Sequence, residues 1–499
     1  MKRALALLVG GVLIVGSALA AHAQAPTVSF GGQMRVYGFA FDNVTDFKNS
    51  ENGLNRDSNS FYFQRWRLFT NVESADKKAK VVWGLEVGDI VWGNGGGANP
   101  EYRGCEGQTA PIPGATVVIP PPVGSPPGTP GTPVTVSAGT AAGGNRVGNG
   151  SGGCPGADGI NVETKHAYLW FDTGQWLPGS SITVGIQSIV MMTGPLGGWF
   201  DDDGAAIKVN MKFDPVDIEV YTVKAGEGLG AGNVERANAD DADMYVARVG
   251  VNFTKDLRAT LEGLLVDEKS LAGFNIGDTF WIGATVGAKL GDVQLDGHFI
   301  YGQRARGRLP VAGTGSPFDE SGFGAYVTAR VPIGPLSVFA VGWYTTGDDT
   351  VGPAGCGTNT GCDTATYNLA ADSDKLPMAM SGAGWFGGGG PYIAEWLFGN
   401  SSIGAPGVGQ VHYADPTGTW GLGASASYAL TPAFSVGGGV AYVMATDADG
   451  PYGESLLEID AGATYRFNPN LVFNLFGGFM IPDDGDEAWA VAFRTQYSF

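Results

Sequence analysis

In "FYFQRWRLF", residues 61 to 69, Arg65 and Arg67 stand two apart, with Trp66 between them and Leu68 beyond. A spacing of two puts both guanidiniums on one face of an extended strand and the apolar side chains on the other. "AIKVNMKF" (206 to 213) repeats the pattern, with Lys208, Asn210 and Lys212 opposite Ile207, Val209, Met211 and Phe213. Followed along the chain, the same face collects Arg65, Arg67, Lys80, Lys208, Lys212, Arg248, Arg258, Lys289, Arg304, Arg330, Arg466 and Arg494 among the bases. Its acids are Glu73, Glu86, Asp217, Glu219, Glu262, Asp296, Glu458 and Asp460. Fixed charges on a strand face either pair across strands or set a field that favours ions of one sign. Both uses predict the same faces.

Covalent chemistry finds little to work with. The chain has four histidines and no Gly-x-Ser-x-Gly elbow, His-Glu-x-x-His pair or phosphate loop. His298 and Ser427 lack an orienting third residue, and "TDADGPYGE" (446 to 454) does not complete the ligand spacing of a calcium loop. The expectation is a protein that is not an enzyme, with no cofactor and no metal centre.

The elements that carry these charges are strands. From Val28 on, runs of ten to thirteen alternating residues are joined at one end by tight turns such as "SADKK" (74 to 78), "FDPVD" (213 to 217), "LGDV" (290 to 293) and "FNPNL" (467 to 471). At the other end the connections are uneven and reach about seventy residues at 91–160 and 347–417. The runs number eighteen, with sixteen as the alternative, near 28–41, 61–73, 79–90, 161–172, 180–190, 204–213, 216–225, 243–254, 257–268, 278–290, 292–303, 320–331, 335–346, 418–430, 432–444, 455–467, 469–480 and 487–499. Beyond the first residues, no segment offers the ~18 consecutive apolar residues that a membrane helix needs. So many half-apolar strands in succession, with Trp83, Trp281, Tyr301, Tyr428, Tyr442, Tyr465, Trp489 and Tyr497 near strand ends, fit an all-β chain closed into an antiparallel transmembrane β-barrel. In "VETKHAYLWF" (162 to 171) either face could be outward, so this strand is also a candidate for a subunit interface.

Lys2 and Arg3, an apolar stretch from Leu5 to Leu19 and the small-residue pattern Ala21-His22-Ala23 read as a cleaved export signal, residues 1–23, ahead of a barrel over 24–499. The net charge of −20 becomes −22 once the two positive charges of Lys2 and Arg3 are removed, and the excess acid lies in loops such as "WFDDDG" (199 to 204) and "IPDDGDE" (481 to 487). A nucleic-acid partner is excluded on that balance. Cys105, Cys154, Cys356 and Cys362 are an even number in an exported chain, open to three disulfide pairings, of which Cys105–Cys154 and Cys356–Cys362 are the most local. Residues 91–160, with "IPPPVGSPPGTPGTPVT" at 119–135, are rich in Pro, Gly and Thr and read as an extended, weakly ordered segment at the outer face. Residues 376–400 hold five aromatics, too apolar for a solvated loop, and suit either an inward constriction or a contact with a neighbouring subunit.

The chain finishes on "AWAVAFRTQYSF", where Trp489, Val491, Phe493, Thr495, Tyr497 and Phe499 share one face. That final strand, the export signal and the hairpin plan together resemble the trimeric Gram-negative porin superfamily over the whole mature length. The resemblance implies an outer-membrane channel for passive diffusion of ions and small hydrophilic solutes, assembled as a homotrimer amid outer-membrane lipid and lipopolysaccharide. It also implies that Phe493, Tyr497 and Phe499 form the signal read by the barrel-assembly machinery. A substrate-specific channel for sugars or oxyanions and a plugged structural or adhesin barrel are the competing readings, with an outer-membrane hydrolase behind them. One departure stands out. In the sixteen-stranded porins the pore-narrowing loop follows the fifth strand, whereas here that connection, 191–202, is short, which points to an eighteen-stranded relative or to narrowing by another loop.

Overall fold

Alternation with β-branched and aromatic residues on one face favours pleated strands, and strands make up the computed structural model of the chain. It describes residues 25–42, 59–92, 115–119, 132–136, 162–191, 200–226, 229–230, 234–235, 242–268, 276–306, 319–346, 419–445 and 454–499. The export signal, all four cysteines and the 376–400 stretch lie outside those residues.

In chain order the strands begin with β1 (Thr27–Asp42), β2 (Asn59–Glu73) and β3 (Ala79–Val91). A separate ladder, β4 (Ala115–Ile119) with β5 (Thr132–Val136), falls within the 91–160 connection that the composition marks as merely extended. Then come β6 (Val162–Asp172), β7 (Ser180–Met191), β8 (Phe200–Phe213) and β9 (Val216–Gly226), and a two-residue ladder of β10 (Leu229–Gly230) and β11 (Val234–Glu235). The series continues with β12 (Ala242–Thr254), β13 (Leu257–Glu268), β14 (Ile276–Leu290), β15 (Val293–Arg306), β16 (Asp319–Ile333) and β17 (Leu336–Thr345). It ends with β18 (Thr419–Ala429), β19 (Phe434–Ala445), β20 (Ser455–Arg466), β21 (Leu471–Pro482) and β22 (Ala488–Ser498).

Leaving aside the two small ladders, eighteen strands form one sheet in which each pairs antiparallel with the next. β22 then pairs with β1, from Gln33 opposite Ser498 to Asp42 opposite Trp489, and the sheet closes on itself. Closure leaves the cylinder with no free edge strand. The count of eighteen expected from the runs is met and sixteen is set aside. At the seam, Tyr62 and Phe493 meet edge-on across Gly38, with ring centroids 6.1 Å apart. A Cβ at Gly38 would stand 2.3 Å from a Phe493 ring carbon, so this close approach requires glycine.

The outer face is apolar and open: Phe30, Trp83, Leu261, Val327, Leu422 and Leu475 are each more than half exposed. Such a surface greatly exceeds the few hundred Å² that soluble chains present. Trp281 is a correction to the expected outer girdle. Phe280 and Ile282 point out, and Trp281 turns inward, 9% exposed, with its indole over Gly302. Inside, the upper wall on β19–β22 is packed, with Val443, Leu456, Met480, Ala488, Ala490 and Ala492 inaccessible to water. The tight turn at 74–78 is held by its own side chains: Ser74 Oγ donates to Asp76 Oδ1 at 2.6 Å and the Lys78 N–H donates to the same oxygen at 3.1 Å. These two hydrogen bonds, the Ser74 one foremost, hold the Asp76 carboxyl below its usual range.

Candidate functional site

The strand alternation puts Arg65, Arg67, Lys80, Glu86, Lys208, Lys212, Asp217, Glu219, Arg248, Arg258, Glu262, Asp296, Arg330, Arg466 and Arg494 on the inner face of the cylinder. The exposed apolar residues beside them, among them Trp66, Val81, Ile207, Val249, Leu261, Val327 and Phe493, mark the outer one. The inner charges are not spread evenly. They sort into a basic sector on β22, β1 and β2 and a mixed sector from β8 to β15.

In the basic sector, register places Arg35 opposite Arg65, Gln33 opposite Arg67, and Tyr37 opposite Arg494. Four guanidiniums thus stand on three adjacent strands. Glu86 on β3 takes Arg67 Nε at hydrogen-bond distance and Arg65 Nε at 3.3 Å. Arg494 is braced differently, donating to Asn474 Oδ1 from Nε at 3.0 Å and Nη2 at 2.9 Å, while the Asn474 amide donates to Thr464. Arg35 lies outside the sequence selection, although "QMRVYGF" carries the signal: Gln33, Arg35 and Tyr37 alternate with Met34 and Val36.

β6 resolves the ambiguity of "VETKHAYLWF" with a bulge. The pairing with β3 slips between Gly84–His166 and Leu85–Thr164, so Lys165 and His166 both reach inner-face partners. Lys165 Nζ lies 3.9 Å from Glu86 and bonds Asp203 on β8, and His166 Nε2 lies 3.2 Å from the other oxygen of Asp203.

Asp203 belongs to a hairpin that leaves the wall. β7 pairs with β6 only over Ser181–Ile186, and β8 with β9 only over Ala205–Phe213. Beyond those points, 187–191 and 200–204 pair only with each other among the described residues. Arg248 Nη2 on β12 donates to the Val190 carbonyl at 3.0 Å, although β8 and β9 separate β7 from β12 in the wall. The hairpin end therefore lies over the inner face, tied to β6 on one side and to β12 on the other. Departure begins at Gly185, whose φ of 127° is disfavoured for other residues and whose absent Cβ would lie 2.2 Å from the Ala167 carbonyl oxygen. The short 191–202 connection after the fifth wall strand points to an eighteen-stranded barrel or to narrowing by another loop; the barrel has eighteen strands, and the strands flanking that connection bend inward. The first four residues of β8, read as an acidic loop, are strand for the same reason.

The mixed sector surrounds a cavity of about 690 Å³ whose polar lining includes Lys212, Asp217, Glu219, Arg248, Arg258, Glu262, Asp296 and His298. Most of its charges are paired. Arg258 holds Asp217 through two bonds, Nη1 to Oδ1 at 2.7 Å and Nη2 to Oδ2 at 2.9 Å. Arg248 Nε meets Glu262 at 3.0 Å and its Nη1 meets Glu219 at 3.4 Å, with Lys208 Nζ 3.9 Å from Glu219. The expected choice between cross-strand pairing and a directed field is thus met by pairing here, while β22, β1 and β2 carry Arg494, Arg35, Arg65 and Arg67 on neighbouring inner positions, with Glu86 of β3 beside Arg65 and Arg67. Arg330 lies over the Phe339 ring at 5.4 Å. Lys80 stands opposite Glu73, and Arg466 opposite Val472 near the turn end of β20. His298 stacks on Tyr326 with centroids 4.2 Å apart.

The chain resembles three solved structures of outer-membrane channels. OccAB4 of Acinetobacter baumannii shares 10% identity at a TM-score of 0.48, over 96% of this chain and 99% of that one. A BenF-like porin from Pseudomonas fluorescens Pf-5 shares 10% at 0.48, over 94% and 98%. The outer membrane protein OpdK from Pseudomonas aeruginosa shares 10% at 0.46, over 94% and 98%. No family model matches the chain, and no curated protein does. At these scores the likeness adds nothing to what the strand order already establishes.

Proposed function

We propose that the chain is an outer-membrane channel for passive diffusion of ions and small hydrophilic solutes. The observation that carries this reading is one cylinder with two opposite faces: apolar and exposed outside, charged and cavity-bearing inside. Lipid satisfies the first face and water the second. Selection would come from width, set where the β7–β8 hairpin crosses the bore, and from the sign of the fixed charge beside it. Outer-membrane lipid and lipopolysaccharide, the barrel-assembly machinery acting on Phe493, Tyr497 and Phe499, and a homotrimeric state belong to the same reading.

A narrower version is supported by the basic sector. Arg35, Arg65, Arg67 and Arg494 place four guanidiniums on neighbouring wall positions, with Glu86 pairing Arg65 and Arg67. This favours anionic solutes, oxyanions included, over neutral sugars. Swelling of proteoliposomes in isotonic solutes separates the versions. Small sugars and small anions entering alike support the general channel, and anions entering much faster support the narrower one. No swelling in any solute contradicts both.

A further inference from the structure

In the mixed sector most of the charge is taken up within the wall itself. Arg258 reaches over Gly250 to hold Asp217 in two bonds, and Arg248 holds Glu262 and Glu219. The three cations and four carboxylates on the cavity lining therefore nearly cancel. A cavity of about 690 Å³ falls within the range of small-molecule sites, roughly 300–1,000 Å³. It extends from Arg248, which holds the hairpin end through the Val190 carbonyl, to Lys212 and Asp296 near the turns at 213–217 and 290–293.

What the β13–β15 end of this cavity offers is hydrogen bonding. Register sets Thr260, Thr285 and His298 side by side on β13, β14 and β15. Two residues nearer the turns, Arg258, Gly287 and Asp296 form the next inward row. Gly287 leaves a notch in that row, and Asp296 Oδ1 leans over it, 3.1 Å from where a Cβ would stand. The Gln294 amide donates to Asp296 Oδ2 at 3.0 Å, and no hydrogen bond reaches Oδ1 among the described residues. His298 lines the same cavity, is 5% exposed, and keeps Nδ1 without a hydrogen-bond partner. Native folds rarely leave such a buried nitrogen unmatched. From the β6 side, Trp170 adds an aromatic surface on which the C–H groups of a ring can rest.

Resting on the channel reading above, we propose that this cavity is a binding site for a neutral polyhydroxylated solute of monosaccharide size. A hydroxyl group both donates and accepts, so one such solute gives a hydrogen to Asp296 Oδ1, exchanges hydrogens with Thr260 and Thr285, and matches His298 in either tautomer. Ions fare worse. An anion at the β13–β15 end faces Asp296 and Glu262, and a cation faces the guanidiniums of Arg248 and Arg258. The arginines of β22, β1 and β2 act on which solute enters fastest, and this cavity acts on which one lingers.

The test records current through the full-length protein in a planar bilayer, with glucose as the probe and a hydroxyl-free ether of like size as its comparison. Heat-modifiable migration confirms folding of each variant. The expected result is saturable interruption of the current by glucose and none by the ether. Losing a hydrogen bond to a charged group should raise the half-blocking glucose concentration about tenfold in Asp296→Ala, with Thr285→Val as the second variant should the first not fold. Equal effects of glucose and the ether on the parent protein, stronger interruption by gluconate than by glucose, or folded variants that block like the parent overturn the site while leaving the channel standing. Folded, inserted protein that passes no current overturns the channel reading and the site with it.

Discussion

At the scale of single residues, the inner face is governed by how its charges are paired. Glu86 offsets Arg65 and Arg67 and approaches Lys165, so Glu86→Gln removes the carboxylate they share. Reversal potentials under a salt gradient should then move toward the anion equilibrium value, with roughly a twofold rise in relative anion permeability. An unchanged potential would place those arginines off the conducting path. Glu262 is a different case. It is almost fully buried against Arg248, and Glu262→Ala removes the closest of that guanidinium's carboxylates while Glu219 and the Val190 carbonyl stay, which costs about 2 kcal/mol. Denaturant unfolding in vesicles should show that loss, and Arg248→Met in the same chain should recover most of it. Asp76 supplies a pH signature at the turn. Its carboxyl titrates below the usual aspartate range when folded, so its contribution to stability is present above the unfolded value and is lost as pH falls through the folded one. Asp76→Asn should therefore be less stable than the parent at neutral pH and equal to it in strong acid, as followed by unfolding midpoints at both.

At the scale of elements, the β7–β8 hairpin end lies over the inner face, tied to β12 by the Arg248–Val190 hydrogen bond. Gly185 is where β7 leaves the wall, and a side chain there meets both a disfavoured φ and the Ala167 carbonyl. Gly185→Val should keep the hairpin from its inward course, seen as higher and noisier conductance if the barrel still folds, or as loss of heat-modifiable protein if it does not. Normal conductance with normal folding would contradict the assignment. The strands themselves were legible because alternation is a local signal and tight turns punctuate it, as at 74–78 and 467–471. What escaped is nonlocal. Nothing in "SSITVGIQSIVM" announces that its last residues have no wall neighbour, since that depends on where β6 and β9 stop pairing. The bulge on β6 escaped for a related reason, because two consecutive polar residues read equally well on either face. Trp281 is the opposite case: nearness to a strand end suggested a girdle, while its parity between Phe280 and Ile282 already pointed inward.

At the scale of the whole molecule, the closed sheet separates two kinds of acid and base. The chain is strongly acidic, yet the described inner wall on β22, β1 and β2 is basic, so the net charge and the charge of that wall sector have opposite sign. Any anion preference should weaken at high salt as the Debye length shrinks from about 10 Å at 0.1 M to about 3 Å at 1 M. The central claim is that this cylinder holds a continuous aqueous path through a membrane. Single-channel recording of the purified protein in a planar bilayer under a salt gradient tests it most directly. The account predicts stepwise openings with a reversal potential on the anion side. Folded, heat-modifiable protein that inserts and passes no current would contradict it, and would leave a barrel whose bore is closed.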